Sequence, residues 1–269
     1  VKPLNQLTAL QTADAVERGE TTPTAIVRAC LERIAERNDV VQAFVAYDAE
    51  LALSQATQTE SLRDAPLKGV PFAVKDIFDT VDYPTEYGSP IYKGFRPRTD
   101  AACVALAKHR GAALLGKVAT GEFATQTPGN ARNPLRETHT PGGSSSGSAA
   151  AVGDYMVPVA FGTQTTASII RPAVYCGVVG YKPSFGFVAP AGMKALSPSQ
   201  DTLGVITRDV ADAAFFTLGL HGAQRVNSAA AVRPRIGLCL SRQWDHARPA
   251  TIAAIDRLAG QLEGAGGAR

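Results

Sequence analysis

Cysteine is sparse in this 269-residue chain. Cys30, Cys103, Cys176 and Cys239 stand tens of positions apart and form no CxxC pair. A chain of this length needs no disulfides to hold a core together, so reduced, mostly buried thiols and a cytoplasmic protein are expected. Histidine is equally sparse. His109, His139, His221 and His246 make no HxxxH or HExxH spacing, so no metal is expected. No apolar run reaches the ~18 residues of a membrane span. The nearest, 149–161, is broken by Asp154 and Pro158, and no membrane partner is expected. The opening VKPLNQLTAL lacks the charged-then-apolar order of a signal peptide. It also lacks an initiator methionine, so some N-terminal residues are expected to be missing. One-sided charge is absent too. Lys and Arg number 27 against 24 Asp and Glu, and the net +3 is spread along the chain, which gives no stripe for nucleic acid.

What is present is a globular composition: 45% hydrophobic and 19% charged, enough for a sizeable core and against a disordered chain. At about 150 residues per domain the length allows one large or two modest domains. Residues 1–65 read as an N-terminal helical segment and 66–269 as the core. Leu7, Leu10, Ala13 and Val16 recur at helical spacing; Thr21 or Thr22 caps a second helix with Pro23 in its first turn. Residues 44–47 read as a short strand and 48–61 as a helix. Then come a buried strand at 69–76, a helix at 101–110, a strand at 113–116, a helix opening at 149–152, and strands at 157–162 and 178–183. A strand at 235–239 and a helix at 249–262 follow. Alternation of this kind predicts an α/β fold with a largely parallel sheet. Because the chain stops just after a helix, further sheet is expected to be missing or supplied by another polypeptide.

The 25 Gly and 17 Pro gather in the middle of the chain. Residues 125–148 form a long loop ending in Thr140-Pro141-Gly142-Gly143-Ser144-Ser145-Ser146-Gly147-Ser148. Three readings compete for it. A flexible linker would not run straight into the helix start at Ala149. A phosphate-binding loop would carry GK[ST] or GxGxxG, and neither is present. A catalytic loop suits glycines that permit tight turns, with a helix N-terminus to favour developing negative charge. The next strand runs into a small-residue turn, Gly162-Thr163-Gln164-Thr165-Thr166-Ala167-Ser168, bearing a single serine beside main-chain donors. Lys75 ends a hydrophobic strand, where desolvation lowers a lysine pKa and leaves an amine able to act as a base. These residues allow a Ser–Lys type of acyl-transfer site.

Four blocks make the reading specific: GVPFAVKD (69–76), PGGSSSGSAAAV (141–152), GTQTTASIIRPA (162–173) and CGVVGYKPSFG (176–186). Together with 201–213 they resemble the amidase signature family of serine hydrolases, over about Leu67 to Ala213. The resemblance implies an α/β/α fold around a large mixed, twisted sheet, with no cofactor. It implies a Ser–Ser–Lys triad with Lys75 as base, Ser144 as bridging residue on a cis peptide, and Ser168 as nucleophile. The main-chain N–H groups of Thr165, Thr166 and Ala167 would then form the oxyanion hole. Ser145, Ser146 and Ser148 are expected to hydrogen-bond within the turn. Arg171 is expected to meet a carboxylate or carbonyls near the nucleophile turn, and Tyr175, Cys176 and Tyr181 to pack in the core.

Two departures stand out. Thr166-Ala167 replaces the one or two glycines usual before the nucleophile, and Gln164 replaces a common aspartate. The implied activity is hydrolysis of a carbon–nitrogen bond in a small-molecule amide, anilide or carbamate, with selection by residues 125–139 and 187–200. The chain would act as a homodimer or with a missing C-terminal half. The alternatives are an amidotransferase subunit of the same family, moving ammonia onto misacylated tRNA with partner subunits, and a non-catalytic member that only binds.

Overall fold

A computed structural model describes residues 2–62, 64–223 and 236–264. The chain divides into two compact units, Val1–Val226 and Asn227–Arg269.

In the first unit the N-terminal helices form where the spacing predicts. Helix α1 (Ala9–Glu17) starts at Thr8, whose side chain accepts from Gln11 N while the Gln11 side chain accepts from Thr8 N, a capping box. Helix α2 (Pro23–Val41) is capped by Thr22, which accepts from Ala25 N, with Pro23 at its first position. Strand β1 (Phe44–Tyr47) and helix α3 (Ala49–Glu60) follow. The remaining elements are β2 (Pro71–Lys75), α4 (Ala102–His109), β3 (Ala113–Val118), α5 (Ser146–Gly153), β4 (Val159–Gln164), α6 (Ile170–Tyr175), β5 (Val179–Tyr181), β6 (Thr202–Thr207) and α7 (Val210–Leu220).

The sheet order is β1-β3-β2-β4-β6-β5. Parallel pairing is confined to the centre, β3-β2 and β2-β4. The other three pairings are antiparallel. The sheet is therefore mixed rather than largely parallel. Helices α4 and α5 serve as the crossovers that parallel neighbours need, whereas β6 returns beside β4 in the opposite sense.

Side chains of the central strands alternate between two cores. Phe72, Val74, Val159, Phe161, Leu203 and Val205 pack with α1, α4 and α7. Ala73, Ala160 and Ile206 face α2, α3, α5 and α6. Period-two alternation of apolar residues on both faces is what a sheet covered by helices on each side requires, and the result is three layers, α/β/α. The N-terminal helices α1 to α3 belong to this same compact unit.

In the second unit, helix α8 (Pro249–Gly264) forms as predicted but, among the described residues, buries none. Of the strand expected at 235–239, Arg235 lies outside the described residues, and 236–239 pair with no described strand, leaving Ile236 and Leu238 exposed. Apolar alternation makes a strand only where a ladder partner accepts its backbone groups.

Candidate active site

Strand β2 is buried along its whole length and delivers Lys75 at its C-terminal end, fully inaccessible. Its Nζ lies 2.8 Å from Ser144 Oγ and 2.8 Å from Thr163 Oγ1. Burial pushes the Lys75 pKa down to about 7, against an opposing pull from the charge on Asp201. Ser144 follows a cis Gly143–Ser144 peptide and is itself buried.

Two glycines explain why the loop has its composition. Gly142 has φ of +79°, which glycine adopts without strain. A Cβ on Gly147 would stand 2.2 Å from Ala119 N and 2.5 Å from Ala43 O, so only glycine lets α5 enter between those backbones. Helix α5 begins at Ser146, earlier than the alanine run suggests. Its serines bond away from the turn, not within it. Ser145 Oγ donates to Thr163 O and accepts from Thr163 N (3.3 Å each), Ser146 Oγ donates to Ala119 O, and Ser148 Oγ donates to Phe161 O (2.9 Å). They are buried against strand backbone, and each hydroxyl takes the nearest carbonyl. This stitches the loop to β4.

Beyond β4 the chain turns through Thr165, Thr166, Ala167 and Ser168 into α6. Gln164, in the place where aspartate is common, accepts from Ile169 N (2.9 Å) and Ile170 N (3.0 Å) and so closes the turn. At the other end Thr165 Oγ1 donates to Asp201 Oδ1 at 2.5 Å. The carbonyl of Ser168 accepts from Ser145 N at 3.2 Å, which fixes the Ser168 backbone beside the residue that follows Ser144. Among the described residues, no carbonyl or side chain accepts from the main-chain N–H of Thr165, Thr166 or Ala167. Ser144, Ser168, Thr165 and Thr166 line one cavity of about 630 Å³, together with Arg171 and Tyr175. Thr125–Gly129 and Leu196 also line it, and these fall within the two segments expected to select substrate.

Arg171 donates twice to Gly143 O, at 3.0 and 2.7 Å, as expected of a guanidinium near carbonyls. Cys176 is buried, but Tyr175 and Tyr181 are 51% and 40% exposed rather than packed in the core. Tyr181 ends the edge strand β5 and Tyr175 ends α6 just before it, where no described layer of this unit covers them. Cys30 and Cys103 are buried and unpaired, and Cys239 is exposed.

Sequence reasoning missed three residues. Thr163, Asp201 and Lys117 are buried and polar, and each bonds to the site or its frame. Thr163 and Asp201 sit inside the resembling blocks, so their position was visible although their contacts were not. Lys117 gave a signal only as a charge inside an apolar strand. Among the described residues no cluster of His, Cys, Asp or Glu has the makings of a metal site, and no helix is long and apolar enough to cross a membrane.

A buried lysine against a serine that shares a cavity with a second serine on a strand–helix turn is an arrangement suited to acyl transfer. The Amidase family model matches residues 25–269, and the chain belongs to this family. Relatives include a glutamyl-tRNA(Gln) amidotransferase component, its A-type polypeptide, from Thermobifida fusca, 38% identical over 86% of this chain and 49% of the relative. The same-named protein of Desulforapulum autotrophicum is 40% identical over 86% and 50%. Among solved structures, a peptide amidase from Stenotrophomonas maltophilia matches at 35% identity and TM-score 0.76, over 81% of this chain and 48% of that one. A crystal structure of an amidase matches at 33% identity and TM-score 0.87, over 97% and 62%. The chain spans about half the length of the curated relatives it matches.

Proposed function

We propose that this chain cleaves a carbon–nitrogen amide or carbamate bond through an acyl-enzyme on Ser168, with Ser144 and Lys75 as the proton relay. The observation that carries the reading is the 2.8 Å contact between Ser144 Oγ and a lysine amine stripped of water. With a pKa near 7, Lys75 is substantially neutral at physiological pH. Its lone pair then takes the Ser144 hydroxyl proton while an N–H donates to Thr163.

Ser144 takes the proton of Ser168 in turn. Ser168 Oγ attacks the substrate carbonyl, and the free N–H groups of Thr165, Thr166 and Ala167 stabilise the oxyanion. Collapse breaks the C–N bond, and the relay running backwards protonates the departing amine. Water then attacks the acyl-enzyme, giving the acid and restoring Ser168. No step calls on a cofactor. A small-molecule amide, anilide or carbamate suits a cavity of this size.

A second reading is favoured by the names of the relatives: one component of an amidotransferase that transfers ammonia onto glutamyl-tRNA with partner chains. Both readings need the same amide cleavage. They part on whether turnover requires partners.

The test is intact mass after incubation with a fluorophosphonate, with the modified peptide mapped. One adduct on Ser168, absent from Ser168→Ala, is expected. An adduct on any other residue, or none, overturns the assignment. Amide hydrolysis by the isolated chain favours the hydrolase; ammonia release only in a complex favours the amidotransferase.

A further inference from the structure

We infer that Asp201 is a positioning residue for the proposed amide-cleaving site, its one carboxylate fixing the turn that carries Ser168 to the loop at 196–201. The inference rests on the reading of Ser168 given above.

The sheet register brings the partners together. Gln164 of β4 pairs with Thr202 of β6 in antiparallel sense, so the next residues outward, Thr165 and Asp201, fall opposite each other just past the end of the ladder. There the backbone no longer holds the two chains, and a side chain does. Asp201 Oδ1 accepts from Thr165 Oγ1 at 2.5 Å; Oδ2 accepts from Leu196 N at 2.7 Å and from Ser197 N at 2.8 Å. The carboxylate is 7% exposed, and these three donors occupy both of its oxygens.

Thr165 opens the run proposed above as the oxyanion hole, and Thr165, Thr166 and Leu196 line the same cavity. One anion therefore sets the spacing between the nucleophile turn and a wall of the pocket. A turn held at both ends, by Gln164 and by Asp201, keeps its N–H groups in place before substrate arrives, which is what electrostatic preorganisation requires.

The same carboxylate has an electrostatic consequence. Among the described residues, the one charge that acts on Lys75 is that of Asp201, and the other nearby charged groups in the sequence and at the cavity are engaged elsewhere. Asp76 is engaged by Lys117 and Glu86 N, Arg171 is held on Gly143 O, and Asp201 remains to stabilise a proton on the Lys75 amine. Removing its charge makes Lys75 easier to deprotonate.

Two variants separate tether from charge, read by the rate of fluorophosphonate labelling across pH. Asp201→Asn keeps the shape and the acceptor for the Leu196 and Ser197 N–H groups but removes the charge. Its acid limb is expected to move to lower pH. Thr165→Val keeps the charge and the main-chain N–H but cuts the tether. Its limb is expected to stay in place while its plateau falls about tenfold, because small misplacements at a reacting centre are costly. A carboxylate that merely closes the 196–201 loop would leave the limb unmoved in both. A wild-type plateau in Thr165→Val, or an unmoved limb in Asp201→Asn, overturns the assignment. Should Asp201→Asn fail to fold, as read by near-ultraviolet circular dichroism, the Thr165→Val plateau decides alone. No adduct on Ser168 in the unsubstituted chain is a different result: it removes the amide-cleaving reading and this inference with it.

Discussion

Lys75 and Lys117 stand almost side by side on parallel strands and are both fully buried, yet their surroundings differ. Lys75 is opposite Val118 and Lys117 is opposite Val74, so alternation sends their side chains to opposite faces of the sheet. Lys117 Nζ meets a carboxylate, Asp76 Oδ1, at 3.0 Å, the carbonyl of Phe78 at 2.8 Å and Thr85 Oγ1 at 2.6 Å. Asp76 accepts from Glu86 N as well. That site is furnished for a cation, and it ties the 76–88 segment to the sheet. Lys75 meets two hydroxyls and, among the described residues, no carboxylate within hydrogen-bond distance. Burial lowers both lysines, and on the Lys117 side the adjacent anion offsets part of it. Desolvation alone does not make a base. The partners decide whether a buried amine holds its proton or gives it up.

The comparison breaks most sharply on activity. Lys75→Met should lower the fluorophosphonate labelling rate about a thousandfold, in the range of a lost general base, while leaving thermal stability equal or higher, since a desolvated amine is replaced by an apolar chain. In the unsubstituted chain the sign follows from the depressed pKa. With the neutral amine as the proposed active form, the rate is expected to be full above about pH 7 and to fall as pH drops through it. A flat profile between pH 5 and 9 would show that Lys75 is not the base.

Lys117→Met should do the reverse. It strands Asp76, a buried carboxyl that burial already pushes up, and should cost about 3–5 kcal/mol in urea unfolding. Labelling should weaken only as far as the folded fraction falls. An unchanged unfolding midpoint would mean that Asp76 simply takes a proton, and that the two lysines differ less than their partners imply.

How far the site was legible follows from the same residues. The candidate residues Lys75, Ser144 and Ser168 could be singled out because each lies in a block of several unusual residues in fixed order. Lys117 was not, because a charge in an apolar strand has no pattern until its carboxylate partner, forty-one positions earlier, is brought across by parallel pairing. The helices α1 to α4 and the strands β1 to β4 showed in periodicity and caps. Strand β6 did not: six residues with a central glycine give no alternation to count, and its buried state comes wholly from pairing with β4 and β5. The short strand at 235–239 failed for the converse reason, a strand pattern without a partner among the described residues. The antiparallel sense of the outer strands lies beyond local sequence, since it depends on which edge a returning segment joins.

The smallest expected effect concerns the residue before the proposed nucleophile, Ser168. Ala167 is half-buried beside Ser168, where the resembling family usually carries glycine. Its added Cβ has two possible consequences, a crowded approach for the substrate carbonyl or none. The turn is pinned by Gln164 and Asp201 on either side, so it has little freedom to relax around that methyl. Ala167→Gly should therefore raise the labelling rate a few-fold, with the acid limb unmoved because Lys75 is untouched. Removing Cβ also frees the backbone, at about 0.5–1 kcal/mol of stability, which a thermal scan reads independently. A rate that falls would show that the methyl helps hold the N–H groups in place, and that the turn, unlike the lysine pocket, depends on local stiffness more than on its partners.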